Sequence, residues 1–301
     1  MAIAFADRAP TKSENNLLRL MLSTFRDGSG NEMEKDGSTR PNWRELERCV
    51  ATLVNASASE DKCIFDVIAK GDNASDDYYG YSIKSKELSQ NKFRGLSSSG
   101  RVYMEIANSP AKFWDAIRQN LNLAESDFRS KRSPSEIGNC VIDLVEHWHK
   151  EGKNDFEESH PRLVLDLENS IYLCVSYSKH LLSKDRLFQV HSFRLNYPKD
   201  MIWKYKTEKC LSGFDANHPD ETLIDWYGLS GGQLKYYPRA DSAIFSSPVF
   251  SLLSPENTIS LKDKAMKYFP TQFDADEEAI DFTGCGKVVI LTSYQRSYRL
   301  R

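Results

Sequence analysis

Apolar residues recur at helical or strand periods along most of the chain, and their spacing predicts the elements. Leu17 to Phe25 is a short amphipathic piece, followed by a loop rich in Gly, Asp and Ser, DGSGNEMEKDGST. Pro41 suits a first helical turn. Trp43, Leu46, Val50 and Leu53 then recur at steps of three and four, as on a buried helix face. Two strands are predicted over about 63–69 and 79–86, joined by a loop of Gly, Asn and Asp. Residues 89–100 read as a polar loop, and 101–108 admits either a strand or a helix. Ser109-Pro110 is an N-cap and first-turn pair, which predicts a helix over about 110–121. EIGNCVIDLVEHWHKEG has the pattern of an amphipathic helix. Residues 163–195 alternate as two or three adjacent strands. KDMIWKYKTEK is basic and aromatic, Ser230-Gly231-Gly232 is a turn between aromatic segments, and KVVILTSY reads as a last strand. No internal repeat or interdomain linker stands out. The expectation is one domain over 1–301, of mixed α+β (α/β) class, with a central mixed sheet flanked by helices.

Composition narrows the function classes. Hydrophobic residues at 40% and aromatics at 11% suffice for a substantial core, which argues against disorder over most of the chain. Lys+Arg is 40 against Asp+Glu 43, a net charge of -3, which excludes a uniformly basic, histone-like binder. A nucleic-acid enzyme remains open, because local basic faces decide the encounter with phosphate. No run approaches the ~18–20 apolar residues needed to cross a bilayer. The first sixteen residues lack the apolar core of a signal peptide, so a cytoplasmic location and no membrane partner are expected. Cys49, Cys63, Cys140, Cys174, Cys210 and Cys285 never fall in C-x-x-C spacing and sit in or beside apolar stretches, as free thiols do in a reducing compartment. His147 and His149 lack a third ligand at zinc spacing and are expected to be satisfied surface histidines. Neither a G-x-x-x-x-G-K-[ST] phosphate loop nor a G-x-S-x-G elbow is present.

The stretch from Asp66 to Lys84 carries the chemistry. An acid sits on one strand, and Ser82-Ile83-Lys84 sits in the middle of the next. Period-two geometry puts Ser82, Lys84 and Lys86 on one strand face. A mid-strand lysine costs desolvation unless carboxylates or water receive it, and an acid on the neighbouring strand meets that need. Carboxylates and a lysine so placed suit metal-assisted phosphodiester hydrolysis. Mg²⁺ takes oxygen ligands and keeps several waters, so two carboxylates can be enough. Asp76 and Asp77 are alternative sources of the metal-binding acid, although turn acids are common in such loops.

These residues resemble the PD-(D/E)XK nuclease superfamily, and within it the type II restriction endonucleases. The family pattern is an Asp, then (D/E)-x-Lys on the next strand of a hairpin. Two positions depart from it: Phe65 stands where Pro is usual, and Ser82 where the second carboxylate belongs. The second departure resembles a variant branch with a Ser-x-Lys triplet and a displaced Glu. By that resemblance Asp66 binds metal, Lys84 positions the attacking water, and Glu105 supplies the second carboxylate. Glu47, or less well Glu45, would be a supporting acid on the preceding helix. The resemblance covers about residues 40–120 and implies a restriction-endonuclease-like catalytic core there. It also implies β-rich recognition elaborations over about 130–301, Mg²⁺ as cofactor with Mn²⁺ able to replace it, and double-stranded DNA as substrate. A homodimer would match a palindromic site, and a cognate DNA methyltransferase would be a genetic rather than a physical partner. Lys86, Lys92, Arg94 and Arg101 follow the lysine strand and would lie near phosphate. Gln233, Lys235 and Arg239, in the aromatic-basic segment GGQLKYYPR, are candidate DNA contacts.

Overall fold

The computed structural model describes residues 2–23, 32–33, 39–40, 43–58, 64–71, 77–98, 100–129, 134–179 and 186–253. In chain order the elements are α1 (Lys12–Ser23), β1 (Glu32–Met33), β2 (Thr39–Arg40), α2 (Trp43–Leu53), β3 (Ser57–Ala58), β4 (Val67–Lys70) and β5 (Asp77–Leu88). Then come α3 (Gln90–Gly95), β6 (Met104–Asn108), α4 (Pro110–Leu121), α5 (Pro134–Ser159), β7 (Val164–Leu165), β8 (Ile171–Ser178) and β9 (Leu187–Arg194). The last are β10 (Ile202–Thr207), β11 (Cys210–Phe214), β12 (Thr222–Trp226), β13 (Gln233–Tyr236), β14 (Phe245–Ser246) and β15 (Phe250–Ser251). The class is mixed α+β, as the sequence predicts.

The larger sheet runs β14-β9-β8-β5-β4-β3, with β7 beside β5 and β15 beside β9. It is mixed: β5 pairs parallel with β7 and β8, while β4–β5 and β8–β9 are antiparallel. All eight residues of β8 are buried. Its side chains alternate between two cores. Ile171, Leu173 and Val175 join the core under α1 and α2, while Tyr172 and Cys174 join the core that holds α4 and α5. A strand covered on both faces reads as a continuous apolar run, and IYLCVSYS is close to one. The second sheet is antiparallel, β10-β11-β12-β13-β6, and packs its inner face into the α4–α5 core. Its β12–β13 turn holds Gly231 at φ +86° and Gly232 at φ +63°, a left-handed pair that glycine adopts without Cβ strain.

The sequence expectations are met for α2, the β4–β5 hairpin, the helix from Pro110 and the strands after residue 163. Of residues 101–108, Met104–Asn108 form the strand β6. Three differences have physical causes. The expected polar loop 89–100 contains α3: the Ser89 hydroxyl accepts from the Lys92 N–H at the helix start, and buried Phe93 and Leu96 anchor it. Ser109 makes no side-chain cap, so the α4 start rests on Pro110 at the first turn. His149 is buried rather than on the surface, whereas His147 is exposed and pairs with Glu151. Cys49, Cys140, Cys174 and Cys210 are free and buried. Cys63, Cys285, Pro41, Asp76 and the segment KVVILTSY lie outside the described residues. Among the described residues no helix is long and apolar enough to cross a membrane.

Candidate active site

The site is built where α2 meets the β4–β5 hairpin. Asp66 stands one residue before β4. Its N–H donates to the Tyr81 carbonyl at 2.9 Å, and its Oδ2 accepts from the Ile83 N–H at 2.6 Å. The Asp66 main chain is thus tied to Tyr81 and its carboxylate to Ile83, on either side of Ser82. Ser82 itself is buried and pairs with Tyr172 across β5 and β8. Lys84, two residues along the same strand face, is half-buried and pairs with Cys174.

Glu47 reaches the same place from α2, whose apolar residues Leu46, Cys49 and Val50 fix it on the sheet. Glu47 is 8% exposed and lies close enough to Asp66 and Lys84 to feel both charges. Burial first, and the Asp66 charge second, push the Glu47 carboxyl up to about 7; Lys84 pulls the other way. Asp66 is raised by burial too, against the opposing pull of Lys84 and the Ile83 N–H. Near neutrality Glu47 is therefore partly protonated beside Asp66.

Behind Asp66 is a socket for Phe65. The Phe65 ring lies under Gly80 of β5 and stacks on the His149 imidazole of α5, 6.0 Å between centroids. His149 Nε2 is 3.0 Å from the Tyr172 hydroxyl, which lies 2.6 Å from the Tyr197 hydroxyl. Burial, and then the Lys84 charge, lower His149 to about 4, so the imidazole stays neutral. None of these supporting residues is assigned a role by the motif reading. A glycine inside a strand does signal a close approach of another group, and that signal stands at Gly80.

Glu47, Asp66, Ser82 and Lys84 are brought together; other candidates lie elsewhere. Glu105 is on β6 in the second sheet, opposite Lys235 of β13. Asp77 opens β5, seven residues from Lys84, a distance of ~23 Å along a strand. That separation excludes it from a site at Lys84. Glu45 pairs with Arg48. Lys86 and Arg94 are exposed, and Lys92 Nζ sits 4.4 Å from the Tyr103 ring centre. Arg101 binds Glu221 and the Tyr237 carbonyl, while Arg239 pairs with Asp241 at 2.8 Å and with Glu221. Both arginines are thus held by acids of this chain. Gln233 pairs with Asn108 across β13 and β6.

No family model matches the chain, and neither a curated protein nor a solved structure does.

Proposed function

We propose that the chain is a metal-dependent endonuclease that hydrolyses phosphodiester bonds in double-stranded DNA, of the type II restriction kind. The observation that carries this reading is the convergence of buried Glu47 of α2 on Asp66, whose Oδ2 the Ile83 N–H fixes, beside Lys84. Two buried acids repel when both are ionised, and burial with the Asp66 charge raises Glu47 to about 7. A hard divalent cation can take the place of the proton on Glu47. Glu47 and Asp66 offer the oxygen donors that Mg²⁺ or Mn²⁺ takes, so the donor set fits the cofactor that the motif implies. When bound, the metal acidifies water and stabilises charge on the phosphoryl oxygens.

The chain's own residues do the rest. The Ile83 N–H orients the Asp66 carboxylate, while the Tyr81 carbonyl anchors the Asp66 main chain. Lys84 orients the attacking water and offsets charge that develops on the phosphate. Ser82 brings no charge, and in this reading Glu47 supplies the second carboxylate from α2. Two-fold DNA symmetry favours a homodimer as the working form.

The test is incubation of purified protein with unmethylated phage DNA, in Mg²⁺ and in EDTA, read on a gel. Discrete fragments in Mg²⁺ alone, lost in Asp66→Asn, are expected. Intact DNA in both lanes overturns the reading. Should specific binding remain, the protein is a DNA-binding protein without hydrolysis, a second reading that the uncharged Ser82 favours.

A further inference from the structure

The register of the five-stranded sheet lines up one charged row. Lys204 of β10 faces Ser212 of β11, Ser212 faces Asp225 of β12, Asp225 faces Lys235 of β13, and Lys235 faces Glu105 of β6. The rows on either side, with Trp203, Ile224 and Met104 in one and Leu211, Trp226 and Leu234 in the other, point into the core. The charged row therefore lies on the opposite, outer face.

Three lysines on this face stand over aromatic rings. Lys92 lies 4.4 Å from the Tyr103 ring centre, Lys235 4.5 Å from Tyr227 and Lys204 5.4 Å from Phe214. A ring beneath an ammonium fixes it without cancelling its charge. A fourth, Lys206, reaches the buried Asp225 at 3.1 Å, where the Tyr237 hydroxyl also donates at 3.2 Å. Lys92, Lys204 and Lys206 are exposed, and only Asp225 and Glu105 in this row oppose them. With Lys235, four lysines stand against those two acids of the row. The face also adjoins the catalytic strand: the Tyr103 carbonyl is 3.6 Å from Cys174 Sγ, and Cys174 pairs with Lys84.

We propose that this face docks the phosphate backbone of double-stranded DNA. The choice of partner rests on the nuclease reading; the surface itself rests on the row and the rings. Its charge complements a polyanion. Lys204 and Lys235 stand three strands apart, about 14 Å, close to the ~12 Å width of a major groove. Each ring already holds a lysine, whereas a single-strand platform offers bare rings for bases to stack on.

The test is fluorescence anisotropy of a labelled duplex titrated in EDTA, so that no hydrolysis intervenes, over a range of salt. The Lys92→Glu/Lys204→Glu variant removes no partner of the buried Asp225 and is checked for folding by its melting curve. It is expected to bind at least roughly tenfold more weakly, with the log–log salt slope reduced by about 2. The charge-matched Lys12→Glu/Lys150→Glu variant, on exposed positions of α1 and α5, is expected to bind as the native protein does. Equal binding by the two variants overturns the proposal. So does tighter binding of the single strand, or no binding of duplex by the native protein. Cleavage in Mg²⁺ is measured separately. Cleavage with unweakened binding by the face variant overturns the docking face alone. Face-dependent binding without cleavage overturns the nuclease reading alone.

Discussion

Phe65 occupies the space that a side chain on Gly80 would need. A Cβ on Gly80 would fall 2.3 Å from Phe65 Cδ1, well inside van der Waals contact. Because Phe65 precedes Asp66, whatever displaces the ring also displaces the carboxylate. Gly80→Ala is therefore expected to destabilise the fold by ~1–3 kcal/mol, as overpacking does. Cleavage should fall by more than the folded fraction alone accounts for. Thermal melts alongside gel assays check this; a variant with native melting and native activity would remove the socket from the argument.

The core hairpin was legible because its chemistry is local. Asp66 stands just before β4 and Lys84 lies on β5, the next strand, where period two places Ser82 and Lys84 on one face. α2 was legible from Leu46 and Val50, which indeed face the core. The partner of Asp66 was harder to read. Glu47 and Glu105 are both acids at plausible distances along the chain, and only the packing of α2 on the hairpin brings Glu47 to Asp66. The second sheet was invisible as a unit, because β6 joins β13 across more than a hundred residues. His149 was misread for a similar reason: its burial comes from Phe65 and Tyr172, far from it in sequence. α3 was hidden by polar neighbours around just two anchors, Phe93 and Leu96.

Glu47 and Glu105 make opposite predictions. Glu47→Gln keeps the size and shape of the side chain but removes a charge from the donor set. It should lose cleavage by at least about 100-fold and weaken Mn²⁺ binding, read by titration calorimetry. Glu105→Ala sits opposite Lys235 and should keep metal binding and retain most cleavage. Loss of metal binding in Glu105→Ala alone would return the second carboxylate to β6.

Lys84→Ala should lose cleavage by about 100-fold or more, since it removes a preorganised cation from the reacting phosphate. The fold should survive, because among the described residues no ion pair at Lys84 fixes a neighbouring element. Single-turnover rates at saturating enzyme separate this loss from a loss of binding. Native single-turnover rates would place Lys84 outside the chemistry.

Buried acids and buried histidines pull the pH dependence of stability in opposite directions. In the folded chain Glu47 titrates near 7, above its ordinary 4.5. Its contribution is fully present below about 4.5 and is lost as pH rises through about 7, because the unfolded chain ionises first. His149 and His191 titrate near 4 in the folded chain, below their ordinary 6.5, because burial disfavours the imidazolium. Their contribution is present above about 6.5 and is lost as pH falls towards 4. Between those limits Glu47 partly offsets the two histidines. Glu47→Gln should therefore be more stable than the native protein at pH 8 in EDTA and should lose stability more steeply on acidification. His149→Phe should flatten the acid limb, at a cost of about 1–3 kcal/mol near neutrality from the Tyr172 hydroxyl it leaves with one partner fewer. Urea midpoints at intervals of pH from 4 to 8 measure all three slopes. A Glu47→Gln profile parallel to the native one would show that Glu47 is ionised beside Asp66 across this range.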